Sequence, residues 1–207
     1  MNALRCACSE HEQLDIITAK LSISLLRHSD ILPMDRAFYE AGIMCRKVGW
    51  NEMSMMFLNR YLDVVDAIEE QNPEMLATSD FVETDIPYEV DLPKEPSLSA
   101  EQHEKIKEHV LTLSMKQAVK PALRRDERNC IEFSLLNPET NERSPPCVCT
   151  GYPILSDPVI FERYNLMANK EDWNKFVLSA KSIRRETLQD CLKFLAKWTG
   201  TQPNVSL

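Results

Sequence analysis

The sequence predicts a mainly α chain: helical hairpins, then an extended proline-rich connector, then a small α+β domain. Three observations carry this. Apolar residues recur three and four apart between residues 14 and 68, the spacing that lines one face of a helix. Pro87, Pro93 and Pro96 exclude a helix through residues 77–98, because proline lacks an N–H and clashes with the preceding turn. Beyond residue 121, a β-favouring run is followed by loops and two more amphipathic stretches.

Leu14, Ile17, Leu21 and Leu25 place a first helix at 14–28. The next opens near Asp35 and turns Ala37, Ala41, Met44 and Val48 inward. Gly49 stands where a left-handed, helix-ending residue belongs. Asn51 is expected to cap a third helix, with Met53, Phe57, Tyr61, Val64 and Ile68 on one stripe; Pro73 ends it. Small Ala37 and Ala41 let a partner helix approach closely, and Phe57 and Tyr61 fill the groove. This is the sequence pattern of a tetratricopeptide-type hairpin, without a second copy at a fixed period. One such unit cannot bury its own apolar face well. Residues 1–76 are therefore expected to end a longer helical solenoid; an independent three-helix bundle is the alternative.

Residues 77–98 are acidic and proline-rich, yet Phe81, Ile86, Tyr88, Val90 and Leu92 recur in them. A floppy linker has no use for these side chains, so an extended connector pinned to the helices is expected. Ser99 and Gln102 form a capping box for a helix within 99–120, with Ile106, Val110 and Leu113 on its apolar face. The α+β domain spans 121–207. CIEFSLL at 130–136 suits a strand, and NPETNER after it suits a polar loop between short strands. Asn169 is expected to cap a helix containing Trp173, Phe176, Val177 and Ala180. A last helix over 186–199 carries Leu188, Leu192 and Leu195, with Phe194 and Trp198 beside them, and Gly200 ends it.

The composition narrows the function classes. With 43% hydrophobic and 27% charged residues, a soluble globular protein is expected. No run approaches the roughly 20 apolar residues of a membrane span. MNALRCACSEHEQ lacks a basic stretch followed by an apolar core, so no secretory signal is expected. Seven cysteines in such a chain read as free thiols in a reducing compartment. The net charge of -8 argues against nucleic acid as a partner. Lys116, Lys120, Arg124, Arg125 and Arg128 are interrupted by Asp126 and Glu127 and read as a solvated helix face. With four glycines and no glycine-rich phosphate loop, a nucleotide-binding enzyme is not expected.

SPPCVCTGYPILSDPVIF, residues 144–161, invites three chemical readings. Structural zinc takes four ligands, usually as close pairs two to four residues apart. Cys147 and Cys149 are one residue apart, Cys130 and Cys191 stand alone, and every histidine lies in the first part of the chain. Thioredoxin-like chemistry wants C-x-x-C at a helix start. Nucleophilic catalysis wants a base near a Ser or Cys motif, and the second part has no histidine. No metal or cofactor is expected. A proline-stiffened loop for partner docking remains.

Several phrases then become specific: AFYEAG at 37–42, VGWNEM at 48–53, FLNRYLD at 57–63, AIEE at 67–70, SDFVETDIPYEV at 79–90, RSPPC and TGYPIL within 143–155, and NKEDWNKF at 169–176. In this order they resemble the C-terminal region of the intraflagellar transport protein one-seventy-two family, from about Asp30 to Gly200. The resemblance implies an interaction scaffold of the peripheral intraflagellar transport B complex. Such a protein is needed for cilium assembly and for train turnaround at the ciliary tip. Its partners would be subunits of the B and A complexes, and its place the cilium or flagellum, the basal body and the cytoplasm.

The resemblance also implies that the last domain is U-box-like, a RING-shaped fold held without zinc. U-boxes recruit ubiquitin-conjugating enzymes. The first loop would be Cys147 to Ile154, SDPVIF at 156–161 the following turn and strand, and the second loop Ser182 to Leu188. Docking of a conjugating enzyme or ubiquitin would then fall to Cys147, Val148, Thr150, Gly151, Ile154, Arg185 and Leu188. KSIRRETLQD, 181–190, lacks the proline that active U-boxes usually carry in this loop. A non-catalytic scaffold is the leading expectation, and an active U-box-type E3 ligase the alternative.

Overall fold

The computed structural model describes residues 1–29, 31–76, 80–87, 92–116 and 119–205. Its helices are α1 Asn2–Ser9, α2 Asp15–Leu25, α3 Met34–Lys47, α4 Asn51–Glu69, α5 Ala100–Met115, α6 Lys170–Ile183 and α7 Glu186–Thr199. Between α5 and α6 lie two short strands, β1 Pro158–Ile160 and β2 Met167–Asn169. The mainly α expectation holds. Contacts group Leu25–Glu132 into one unit, and Met1–Ser24 with Phe133–Leu207 into another.

In the first of these, α3 and α4 form a tight antiparallel hairpin. Ala41 and the stripe Met53, Phe57, Tyr61, Val64 and Ile68 are buried as expected. The helices approach closely at Gly42, where a Cβ would come within 2.6 Å of Leu58 Cδ2. Ser54 Oγ seals the crossing by donating to the Gly42 carbonyl at 2.8 Å. Gly49 takes φ +80°, the left-handed turn that glycine adopts without strain. Asn51 does not cap α4: it is the first helical residue, and Trp50 occupies the cap position without a side-chain bond.

The described parts of the connector are pinned. Phe81 packs 5.4 Å from Phe38 and stacks on Phe57 with ring centroids 6.0 Å apart. Arg27 and Asp85 form a buried ion pair at 2.9 Å. Buried Asp35 accepts from the Ser97 backbone N–H at 2.6 Å and its hydroxyl at 2.8 Å. Tyr88 and Val90 lie outside the described residues. The capping box forms as read, Ser99 Oγ accepting from the Gln102 N–H at 3.3 Å. Ser99→Ala is expected to lower stability by about 1 kcal/mol, as measured for comparable caps; a denaturant midpoint shift with an unchanged slope would report it.

Two local expectations need correction. The basic residues are not on a common helix, because α5 ends at Met115. Arg124 instead lies 5.1 Å from the Trp50 ring centroid, Arg125 pairs with Glu83 and Arg128 with Asp126. CIEFSLL also forms no strand; only isolated bridges join Arg125 to Ile131 and Leu136 to Arg143. Local side chains occupy the backbone groups that a ladder would use. Asp126 Oδ1 accepts from the N–H of Arg128 and of Cys130. Ser134 Oγ accepts from Leu136 N–H and donates to its carbonyl. The bridge at Leu136 and Arg143 still closes the NPETNER loop.

In the second unit β1 and β2 pair antiparallel, Val159 opposite Ala168. The hairpin feeds directly into α6, and α7 packs beside it. Asn169 sits at the α6 cap, but its side-chain amide is engaged with the Pro153 carbonyl at 3.3 Å. Gly200 ends α7 in the left-handed region, φ 73°. α1 packs on α7, and the turn Glu12–Leu14 packs on α6.

Candidate functional site

The proline-stiffened loop is closed by its own backbone. Pro146 and Pro153 bridge antiparallel. The N–H groups of Cys147, Gly151 and Ile154 donate to the carbonyls of Tyr152, Cys147 and Pro145 at 2.8, 2.7 and 3.0 Å. The Val148 N–H donates to Met167 at 3.0 Å, tying the loop to β2. Gly151 turns the chain at φ +73°, and a Cβ there would fall 2.6 Å from Met1 Cε and 2.9 Å from Ser24 Cβ. Glycine thus meets two demands at once, a left-handed backbone and a close neighbour.

One polar network fastens this loop to its surroundings. Asp172, in the first turn of α6, is almost fully buried. One oxygen accepts from Lys20 Nζ at 2.7 Å, and the other from Thr150 Oγ1 at 3.0 Å. Lys20 also lies 5.4 Å from the Tyr152 ring centroid, within cation–π range. A single carboxylate therefore joins α2, the loop and α6, three stretches distant in sequence.

The thiols are differentiated by this setting. Burial pushes Cys147 up, but hydrogen bonds from Cys149, Thr150 and the Asn169 N–H bring it down to about 7. Cys149 is held well above its ordinary range, first because its proton is engaged by Cys147 and then by burial. Burial pushes Cys8 up to about 12. The unfolded chain would ionise Cys8 near pH 9, whereas the folded chain keeps the proton. The stability tied to Cys8 is therefore present below pH 9 and is lost as pH rises toward 12. Cys8→Ala should flatten that alkaline loss in urea titrations at pH 8 and pH 10; an unchanged slope would count against it. Among the described residues no group of three or more His, Cys, Asp or Glu side chains is placed to hold a metal ion.

The residues singled out in the sequence do come together, but in a core. Cys147, Val148, Thr150, Gly151, Ile154 and Leu188 are buried. Cys147, Val148, Ile154 and Leu188 share one cluster with Trp173, Phe176 and, from the start of the chain, Leu4, Cys8, Leu14, Ile17 and Leu21. Arg185 is exposed at the α7 cap. Arg184 before it takes a left-handed φ of 54°. Sequence reasoning missed Lys20 and the pairing role of Asp172. No local signal announces an ion pair spanning 152 positions. Outward-facing apolar groups sit elsewhere: Leu178 on α6, and Phe194 and Trp198 on α7 with ring centroids 6.1 Å apart.

The fold and this site define a helical protein whose looped unit is closed by hydrogen bonds, prolines and a buried ion pair. No known family profile matches the chain. It is 46% identical over 202 residues, 98% of its length, to "Intraflagellar transport protein 172 homolog" of Danio rerio, of which it covers 12%. It is 46% identical over 204 residues to the Homo sapiens protein of that name, again 12% of the relative. It is 36% identical over 186 residues to "Intraflagellar transport protein 172" of Chlamydomonas reinhardtii. The chain belongs to the intraflagellar transport protein 172 family and spans about 12% of the length of these relatives. Among the described residues no helix is long and apolar enough to cross a membrane.

Proposed function

We propose that this chain is the C-terminal region of an intraflagellar transport B subunit and works as an interaction scaffold. It would serve cilium assembly and train turnaround at the ciliary tip, contacting subunits of the B and A complexes at the cilium, basal body and cytoplasm. The observation that carries this is 46% identity over 98% of the chain to proteins named for intraflagellar transport. In this reading α3 and α4 are a tetratricopeptide-type hairpin at a solenoid end, and residues 121–207 hold a U-box-like module of the ubiquitin system. The α3–α4 close approach at Gly42 and the closure of the 147–154 loop by its own backbone hydrogen bonds support those two assignments. Removing the region from the intact protein should leave cilia short or trains stalled at the tip. Normal assembly and normal turnaround without it would sink the reading.

The second reading, an active U-box-type E3 ligase, is favoured by exposed Arg185 between α6 and α7. A ligase of this kind has no nucleophile of its own; it positions a charged conjugating enzyme. The measurement is ubiquitin discharge from a charged conjugating enzyme, with and without this protein. The scaffold reading expects no acceleration and no effect of Arg185→Ala. Acceleration by the native chain that Arg185→Ala abolishes would establish the ligase.

A further inference from the structure

We propose that Met1–Ser24 is a releasable cover over the loop Cys147–Ile154, and that its detachment is what frees this loop for a partner. The regulatory part of this rests on the docking reading above; the existence of the cover does not.

Three observations point to it. First, the face is occupied from within. Leu4, Ala7, Cys8, Leu14, Ile17 and Leu21 share one core with Cys147, Val148, Cys149 and Ile154, and Gly151 lies against Met1 and Ser24. Every residue of the loop is buried, and exposure begins only at Leu155 and the turn after it. Second, the loop holds its own shape. The bonds Cys147 to Tyr152, Gly151 to Cys147, Ile154 to Pro145, Val148 to Met167 and Asn169 N–H to Cys147 Sγ all lie within Phe133–Leu207. A loop satisfied in this way keeps its backbone bonds when the cover leaves. Third, the covering surface is mixed. Lys20 binds Asp172 by charge at 2.7 Å and lies over the Tyr152 ring. His11 Nε2 is buried without a hydrogen-bond partner. Contacts that form and part within one chain are more polar than a permanent core, and a segment that also meets water needs such groups.

The geometry gives the cover a polar latch, Lys20 on Asp172. In Lys20→Ala, Asp172 keeps Thr150, so the looped part retains its internal network while the cover loses its charged anchor. Cys149, fully buried in the closed state, then reports opening through its reaction with a maleimide.

The experiment uses the full chain. Cys149 labelling is followed by mass spectrometry across low urea, and global unfolding by circular dichroism. Opening short of unfolding exposes less surface, so labelling should depend on urea less steeply than unfolding does. Lys20→Ala should label about tenfold faster with a native spectrum, and Ile17→Val should change the rate in the same direction if Lys20→Ala proves poorly folded. Labelling of Cys149 that tracks global unfolding in every variant would overturn the cover. An unloaded ubiquitin-conjugating enzyme is then titrated as the probe. Affinity should rise in Lys20→Ala by the same factor as the labelling rate, because a partner for the open state sees only the open fraction. Equal affinity for both proteins overturns gating. Faster labelling with no binding by either protein upholds the cover and removes the docking reading instead.

Discussion

Asp172→Ala is expected to destabilise the looped unit by about 3 kcal/mol, near the lower end of what deleting one member of a buried ion pair costs. The loss has two parts. Lys20 is left without its partner; its side chain retains 21% exposure, which moderates the penalty. Thr150, fully buried, loses its carboxylate acceptor and keeps only the weaker Cys147 sulfur, which holds its cost toward the low end of the roughly 1–3 kcal/mol for a buried unpaired hydroxyl. A double-mutant cycle with Lys20→Ala and Thr150→Val separates the two. If Asp172→Ala moved the unfolding midpoint no more than a surface change would, the carboxylate would not be the fastening point.

Phe81→Ala is expected to cost the helical unit about 3–5 kcal/mol, the usual range for truncating a buried phenylalanine. Phe81 fills the space between Phe38 and Phe57, both fully buried. Its loss opens a void that rigid α3 and α4 close only in part. Arg27 with Asp85, Arg125 with Glu83 and Ser97 with Asp35 remain as connector anchors. Hydrogen exchange should therefore accelerate at Thr84 and Ile86 more than in the middle of α4. Equal acceleration throughout would mean that the connector is not held at this point.

These two sites differ in how far the sequence discloses them. Phe81 stands out because an aromatic in an acidic, proline-rich stretch has no use in solvent. The α3 and α4 stripes are legible for a similar reason, since a period of 3.6 survives whatever partner covers it. The α7 limits and the Ser99 capping box are read from short-range chemistry, which the rest of the fold does not alter. Lys20 and Asp172 are different. Each looks like an ordinary helix residue, and only the folded chain puts them together. The same holds for α2: its apolar spacing marks a buried face without naming what buries it. CIEFSLL misleads because β-propensity says nothing of the hydroxyl of Ser134 or the carboxylate of Asp126, which take the backbone groups first. In the candidate site, the loop and its rigidity are visible in the prolines and Gly151, while the burial of Val148, Thr150 and Ile154 is not.

The looped unit takes its material from both sides of the helical one, Met1–Ser24 before it and Phe133–Leu207 after it. On the ribosome this becomes a matter of time. Residues 25–132 separate the two parts, and at synthesis rates of roughly 5–20 residues per second that is a wait of roughly 5–20 s. During it, Leu14, Ile17 and Leu21 have no loop to bury them. The helical unit, made of near-neighbour contacts, has the time to finish first. Nascent chains halted before residue 133 are the form in which α2 is open to chaperones and to chance partners.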